Sequence, residues 1–369
     1  MKAFKWIFVA TVSLSLCCSQ RTTSSSSRVL GTSSERFDSL PYVTATGEVL
    51  VTKSENGKSK IYVVNVNDAT QLSLTELRQF PKIASAIVPL SPNEGFIGSF
   101  LNFYSESESA IWYSGGEGQE LIVKSLPEGC YSAVVFPEEQ SIVISRTTDG
   151  PPYVCDEILT YKLEYQDAKL VWVQKPTCKP NFANRVKKLE PMLMYCQPKN
   201  RLLCLATSDG FPDLWRFSGD GLEIAGGQLT DMPSASTGEK TSGVVNVNIS
   251  PDGKLVSVVR RIMVRDIPPA DKKGNCYLDV WEIESGKKVY SKTVESVGFP
   301  VACFVNDQQL MVHWNNVLTT VDLLGKAEIS SMHVQLPVLG VSISPISNRK
   351  MLYVSNYRGK GFQYSILSY

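Results

Sequence analysis

Histidine is nearly missing from this chain: 369 residues contain two, His313 and His333. A histidine-based nucleophile system or a His-rich metal centre therefore has almost nothing to be built from. No C-x-x-C pair occurs, and no cysteine–histidine cluster has zinc spacing. G-x-S-x-G, H-E-x-x-H and a phosphate-cradling glycine loop are absent too. Gly115-Gly116-Glu117-Gly118 follows a strand-like run with no helix after it, and reads as a hairpin loop. The sequence thus assigns no catalytic residue, metal or cofactor. An excess of one charge is also lacking, since 37 Lys and Arg balance 36 Asp and Glu for a net charge of +1. That argues against a nucleic-acid binder and leaves any charge-driven partner to a local patch. Helical periodicity is almost absent, and no apolar run after the first nineteen residues reaches membrane-spanning length.

The first nineteen residues stand apart. Lys2 and Lys5 precede an apolar run from Trp6 to Leu16, and Cys17, Cys18 and the polar stretch SQRTTSSSSR follow. This is the layout of a signal peptide over residues 1–19, with a Ser-rich tether over 20–36. Two processing routes fit. Leu14-Ser15-Leu16-Cys17 resembles the lipobox of bacterial lipoproteins, which makes Cys17 the lipidation candidate, although Leu16 stands where a small residue is usual. Alternatively, a signal peptidase cuts after Ser19, with Cys17 and Ser19 as the small flanking residues. Either route predicts an exported protein, in the cell envelope, the periplasm or secreted. Membrane contact is then through an N-terminal anchor only.

Seven cysteines remain in the body: Cys130, Cys155, Cys178, Cys196, Cys204, Cys276 and Cys303. Their number is odd, so one is left unpaired within the chain. Most lie in strand-like runs such as RLLCLAT and PVACFV, where a free thiol packs as a small apolar group. Cys155 and Cys178 fall in loop-like segments and are the best disulfide candidates.

What the chain has in abundance is short alternating runs separated by turn residues, the pattern of many strands. With 43% hydrophobic and 20% charged residues, it can bury a sizeable core. The clearest unit starts NVNISPDGKLVSVV, in which Ser250-Pro251-Asp252-Gly253 joins two strands. CYLDVWEIESGKKVYSKTV supplies two more around Glu284-Ser285-Gly286. Similar units begin near residues 40, 84, 130, 191, 244, 299 and 339. One register of their third strands aligns Val64, Trp112, Tyr161, Trp215, Trp281, Thr320 and Tyr364, a column suited to packing between units. Four antiparallel strands in meander order, repeated seven times, predict an all-β, β-propeller domain over residues 37–369. Six or eight blades are the alternatives. The last unit ends at its third strand, so the segment before residue 40, for example Arg28 to Gly31, is the expected source of a closing fourth strand.

ISPDGKLVSVV with LDVWEIESGK resembles a WD-repeat-like unit, and Thr207 to Gly221, TSDGFPDLWRFSGDG, is similar to the TolB-type repeat of bacterial envelope propellers. The other five units match only in turn position and alternation. LYVSNYRGKG near the C-terminus is similar to a lactonase-type propeller repeat, in a single copy. The Gly-His pair of true WD repeats has no counterpart, and Trp281 precedes Glu282 rather than Asp. The resemblance implies a propeller, a fold shared by scaffolds, envelope proteins and some hydrolases, without fixing an activity.

The connections are unequal. Those between strands one and two, and three and four, are short. The long ones, Arg146 to Glu157, Lys175 to Pro191, Thr230 to Gly243 and Arg260 to Cys276, all join strands two to three or one blade to the next. In a propeller these emerge on one face, where binding residues concentrate. Two are basic, which makes Arg185, Lys187, Lys188, Arg260, Arg261 and Arg265 the candidate binding residues for a protein or acidic polymer. The alternative is a lactonase-like hydrolase with a site at the central channel mouth, which predicts His313 or a carboxylate beside an open pocket. A metal site would have to combine His313 or His333 with groups such as Asp307 or Glu328. Glu106 and Glu108 read as solvated surface, and the sequon at Asn248 is discounted because Pro251 follows it directly.

Overall fold

The computed structural model describes residues 28–32, 42–43, 48–56, 58–65, 73–80, 86–90, 95–101, 109–115, 121–147, 157–178, 193–197, 201–206, 213–218, 221–226, 229, 240–264, 273–297, 300–333, 340–346, 350–356 and 362–368. Every regular element among them is a strand. The first, β1 (Arg28–Thr32), stands alone in sequence. Blade one follows as β2 (Tyr42–Val43), β3 (Val49–Glu55), β4 (Lys58–Asn65) and β5 (Ser73–Phe80). Blade two is β6 (Ala86–Pro89), β7 (Phe96–Phe100), β8 (Ala110–Ser114) and β9 (Leu121–Ser125). Blade three is β10 (Cys130–Phe136), β11 (Ser141–Arg146), β12 (Glu157–Gln166) and β13 (Lys169–Gln174). Blade four is β14 (Leu193–Gln197), β15 (Leu202–Ala206), β16 (Asp213–Ser218) and β17 (Gly221–Ile224). Blade five is β18 (Lys240–Ile249), β19 (Leu255–Val264), β20 (Lys273–Glu282) and β21 (Lys288–Val297). Blade six is β22 (Val301–Phe304), β23 (Gln309–Trp314), β24 (Val317–Asp322) and β25 (Ala327–His333). Blade seven holds β26 (Gly340–Ile346), β27 (Lys350–Asn356) and β28 (Phe362–Ser368).

Each blade is a four-stranded antiparallel meander, and the seven form a β-propeller. The seventh has the order β1-β28-β27-β26, so its outer strand comes from the N-terminal segment. Arg28 pairs with Ser368 and Thr32 with Ser365. This splice joins the two ends of the chain in one sheet, and unpaired strand edges are what a ring of blades must limit.

The aligned third-strand column lies between blades. Val64, Trp112, Tyr161 and Trp281 are buried, while Trp215 and Thr320 are half-buried. Trp112 sits across from Gly98, and a Cβ on Gly98 would collide with the indole. Glycine is therefore the residue that makes room for the aromatic there.

Alternation explains the seams, because successive residues of one strand face opposite neighbours. Val247, Val256, Val258 and Trp281 of blade five pack with Leu202, Cys204 and Leu214 of blade four. Val259, Leu278 and Val280 pack instead with Ala302, Phe304 and Leu310 of blade six. Val301, Cys303 and Met311 of blade six meet Ile343, Met351 and Tyr353 of blade seven. Val43, Val49 and Val64 of blade one meet Leu352, Val354 and Ile366 of blade seven, which closes the ring. Blades one, two and three share one cluster through residues such as Ile61, Ile97, Trp112 and Ile144. Phe136 of blade three stacks on Phe217 of blade four with centroids 4.9 Å apart.

Cys130, Cys204, Cys276 and Cys303 are buried thiols outside any disulfide, as expected of core cysteines. Cys178 is a free thiol as well, bridged through its backbone to Ile158. The expected disulfide partner, Cys155, lies outside the described residues.

Candidate functional site

Antiparallel order fixes two faces. The connections between first and second strands and between third and fourth leave one side of the ring. The remaining connections leave the other. The first side is tied down. Ser250 Oγ donates to Asp252 Oδ1 at 2.7 Å, and the Leu255 N–H donates back to Ser250 Oγ at 2.9 Å. Burial alone would raise the Asp252 carboxyl, but the Ser250 hydroxyl and Lys254 hold it below its ordinary pKa. The Asp252 N–H also donates to Asp307 Oδ1, at 2.9 Å, which links the first turns of blades five and six. Arg201 and Glu139 make the equivalent link between blades four and three through an ion pair.

The opposite side carries the long connections: residues 101–109, 147–156, 175–192, 225–239 and 265–272. Arg185, Lys187, Lys188 and Arg265 fall in these connections and lie outside the described residues, as do Glu106, Glu108 and Cys17. Arg260 and Arg261 do not belong to a connection. β19 continues to Val264 and β20 starts at Lys273, so both arginines are strand residues and the connection is shorter than the sequence implied. Arg261 pairs with Gly243 and Cys276.

Arg260 is 1% exposed and does not offer its charge to solvent. Its Nη2 donates to Asp279 Oδ2 at 2.6 Å. Ser291 Oγ donates to Asp279 Oδ1 at 2.6 Å, and Lys288 Nζ stands 3.4 Å from the same oxygen. The Arg260 guanidinium lies 5.8 Å from the centre of the Tyr277 ring, within cation–π range. Arg260 Nε has no hydrogen-bond partner. A buried arginine survives in an apolar seam when a carboxylate is buried with it. The sequence signal was the alternation Val256, Val258, Arg260 set against Trp281, Asp279, Tyr277, whose members face one another in the β19–β20 ladder.

Blade five also rises above its neighbour. Asn246 Oδ1 accepts from the Ala302 N–H at 3.1 Å and Asn248 Oδ1 from the Phe304 N–H at 2.9 Å. These bonds set the start of β22 level with Asn246, so β18 runs on toward the long-connection face for roughly 15 Å more at the rise of a strand. β19, β20 and β21 accompany it, each ten residues long. Asn315 Nδ2, in the β23–β24 turn, donates to the Glu295 carbonyl at 2.6 Å and braces the raised sheet against blade six. Asn248 is 4% exposed and engaged with Phe304, which closes its sequon to a glycan.

The histidines do not meet. His313 is buried between blades six and seven, with Nδ1 3.2 Å from the Tyr353 hydroxyl and the two rings edge to face. Burial lowers its pKa to about 4, and its Nε2 has no hydrogen-bond partner. It is therefore not an exposed group at the channel mouth, which leaves only the carboxylate form of the hydrolase expectation. His333 is exposed on the outer strand β25. Glu328 pairs with Lys292, and Asp307 is spent on the turn of blade five. Among the described residues, no three His, Cys, Asp or Glu side chains converge as a metal site would need.

No protein-family model matches the chain, and no curated protein matches it. The class defined by the geometry is a seven-bladed β-propeller of four-stranded antiparallel blades.

Proposed function

We propose that this chain is an exported, non-enzymatic propeller that binds a protein or an acidic polymer through its long-connection face. The observation that carries the reading is the asymmetry of the ring. On one face, first turns are bonded across blades five and six and across blades three and four, whereas the other face combines a raised, braced blade five with the longest connections. A rigid scaffold that presents long loops is the usual arrangement for recognition. The likeness of blades four and five to TolB-type and WD-repeat-like units agrees with a scaffold. The basic residues that would attract an acidic partner are Arg185, Lys187, Lys188 and Arg265. Arg261 is a weaker candidate, and Arg260 acts through the scaffold because Asp279 takes up its charge.

Titration with an acidic polysaccharide such as heparin tests this. The protein should bind, with affinity that falls as salt rises. The variant R185E/K187E/K188E/R265E should bind several-fold more weakly while keeping its melting temperature. Unchanged binding by that variant would remove the basic connections from the reading.

A further inference from the structure

We propose that the propeller stands on a bilayer with its short-turn face toward the lipid and its long-connection face pointing away. This rests on the export reading, and adds a direction that the fold determines. β27 ends at Asn356 and residues 357–361 join it to β28 on the long-connection side. β28 therefore runs toward the short-turn side and finishes there at Ser368. β1 is antiparallel to β28, with Arg28 opposite Ser368 and Thr32 opposite Ser365. The chain that precedes Arg28 thus leaves from the short-turn side, at the outer edge of blade seven.

That preceding chain holds the apolar run Trp6–Leu16 and Cys17. If Cys17 carries the lipid, residues 18–27 are the whole tether. Ten residues reach at most about 35 Å when fully extended. Turning the long-connection face to the lipid would use most of that reach in climbing blade seven, whose β28 alone is roughly 23 Å long at the rise of a strand. The short-turn face carries both signs of charge, with Glu138, Glu284 and Asp307 beside Lys254, Lys287 and Lys326, so neither sign sets the orientation. Charge interactions of either sign are in any case screened over a Debye length of about 8–10 Å. Orientation is then set by where the tether leaves, and the raised blade five faces a partner approaching from beyond the membrane.

The test uses the full chain processed by its own export machinery and recovered from the envelope fraction, with intact mass reporting the state of Cys17. A fluorescent side chain is placed on the short-turn side at Glu284 or Leu324, or on the opposite side at Glu128 or Thr177, all four exposed. Each protein is reconstituted on phosphatidylcholine vesicles carrying headgroup nitroxide lipid. Quenching should be several-fold stronger at Glu284 and Leu324 than at Glu128 and Thr177. Equal quenching, or stronger quenching at Glu128 and Thr177, overturns the orientation. A soluble chain of the mass expected for cleavage after Ser19, with neither side quenched, overturns it too, and leaves the polysaccharide-binding reading to its own test.

Discussion

The first-turn side of the ring and the long-connection side are made from one repeat, yet hydrogen bonds are spent differently on them. On the short-turn side, turns bond to turns in the next blade, as Asp252 does with Asp307 and Arg201 with Glu139. On the long-connection side, described connections bond within their own blade, as Leu126 does with Ser109 and Thr147 with Gly129, and the Asn315 brace reaches the next blade. The comparison teaches that rigidity and variability can be separated within a single blade. Strand ends on one side are locked, and those on the other are free to extend, as blade five does.

The largest expected effect lies in the scaffold beneath the raised blade. Asp279→Ala leaves Arg260 and Lys288 without their shared carboxylate and should cost about 3–5 kcal/mol, read as a lower denaturation midpoint. A small loss would mean that solvent reaches the seam and that blade five is not rigidly founded.

The next effect depends on pH. Folding lowers the His313 pKa from 6.5 to about 4 by burial. The unfolded chain therefore binds a proton that the folded chain refuses. Stability from this group is complete above pH 6.5, falls as pH drops from about 6.5 to about 4, and is lost below that. The span corresponds to about 3 kcal/mol. His313→Gln should flatten this part of the stability–pH curve without removing the contribution of other groups. Melts at several pH values check it.

The smallest effects divide the two faces directly. Asp307→Ala removes the acceptor that joins two turns and should cost about 1 kcal/mol. Replacing residues 230–239 on the other face with a short Gly-Ser linker should change stability by no more than about 0.5 kcal/mol. Paired denaturation curves decide whether this difference in tolerance is real.

Much of the ring is legible in sequence because blades repeat. Turn chemistry placed the units near 40, 84, 130, 191, 244, 299 and 339, and the first strands start at 42, 86, 130, 193, 240, 301 and 340. The closing strand was readable from the missing partner of the last unit. The site was less legible. Arg260 looks like a loop cation because it follows a valine run and precedes Arg261. Only its register opposite Tyr277 and its bond to Asp279 show a buried ion pair. Asn246 and Asn248 read as the polar face of an ordinary strand, yet they accept backbone hydrogen bonds from the next blade. Interactions between blades join residues about fifty positions apart, as Asn246 and Ala302 do, and no local pattern encodes such partners. His313 was visible as a rare residue, but its seam was not.

The most direct measurement compares the two faces in one heparin titration, with one charge-reversed variant for each. R185E/K187E/K188E alters the long-connection face, and K254E/K287E/K326E alters the short-turn face by the same charge. The account predicts several-fold weaker binding for the first variant and unchanged binding for the second, with both folded. Equal losses, or a loss confined to the second, would contradict the assignment of the long-connection face as the working surface.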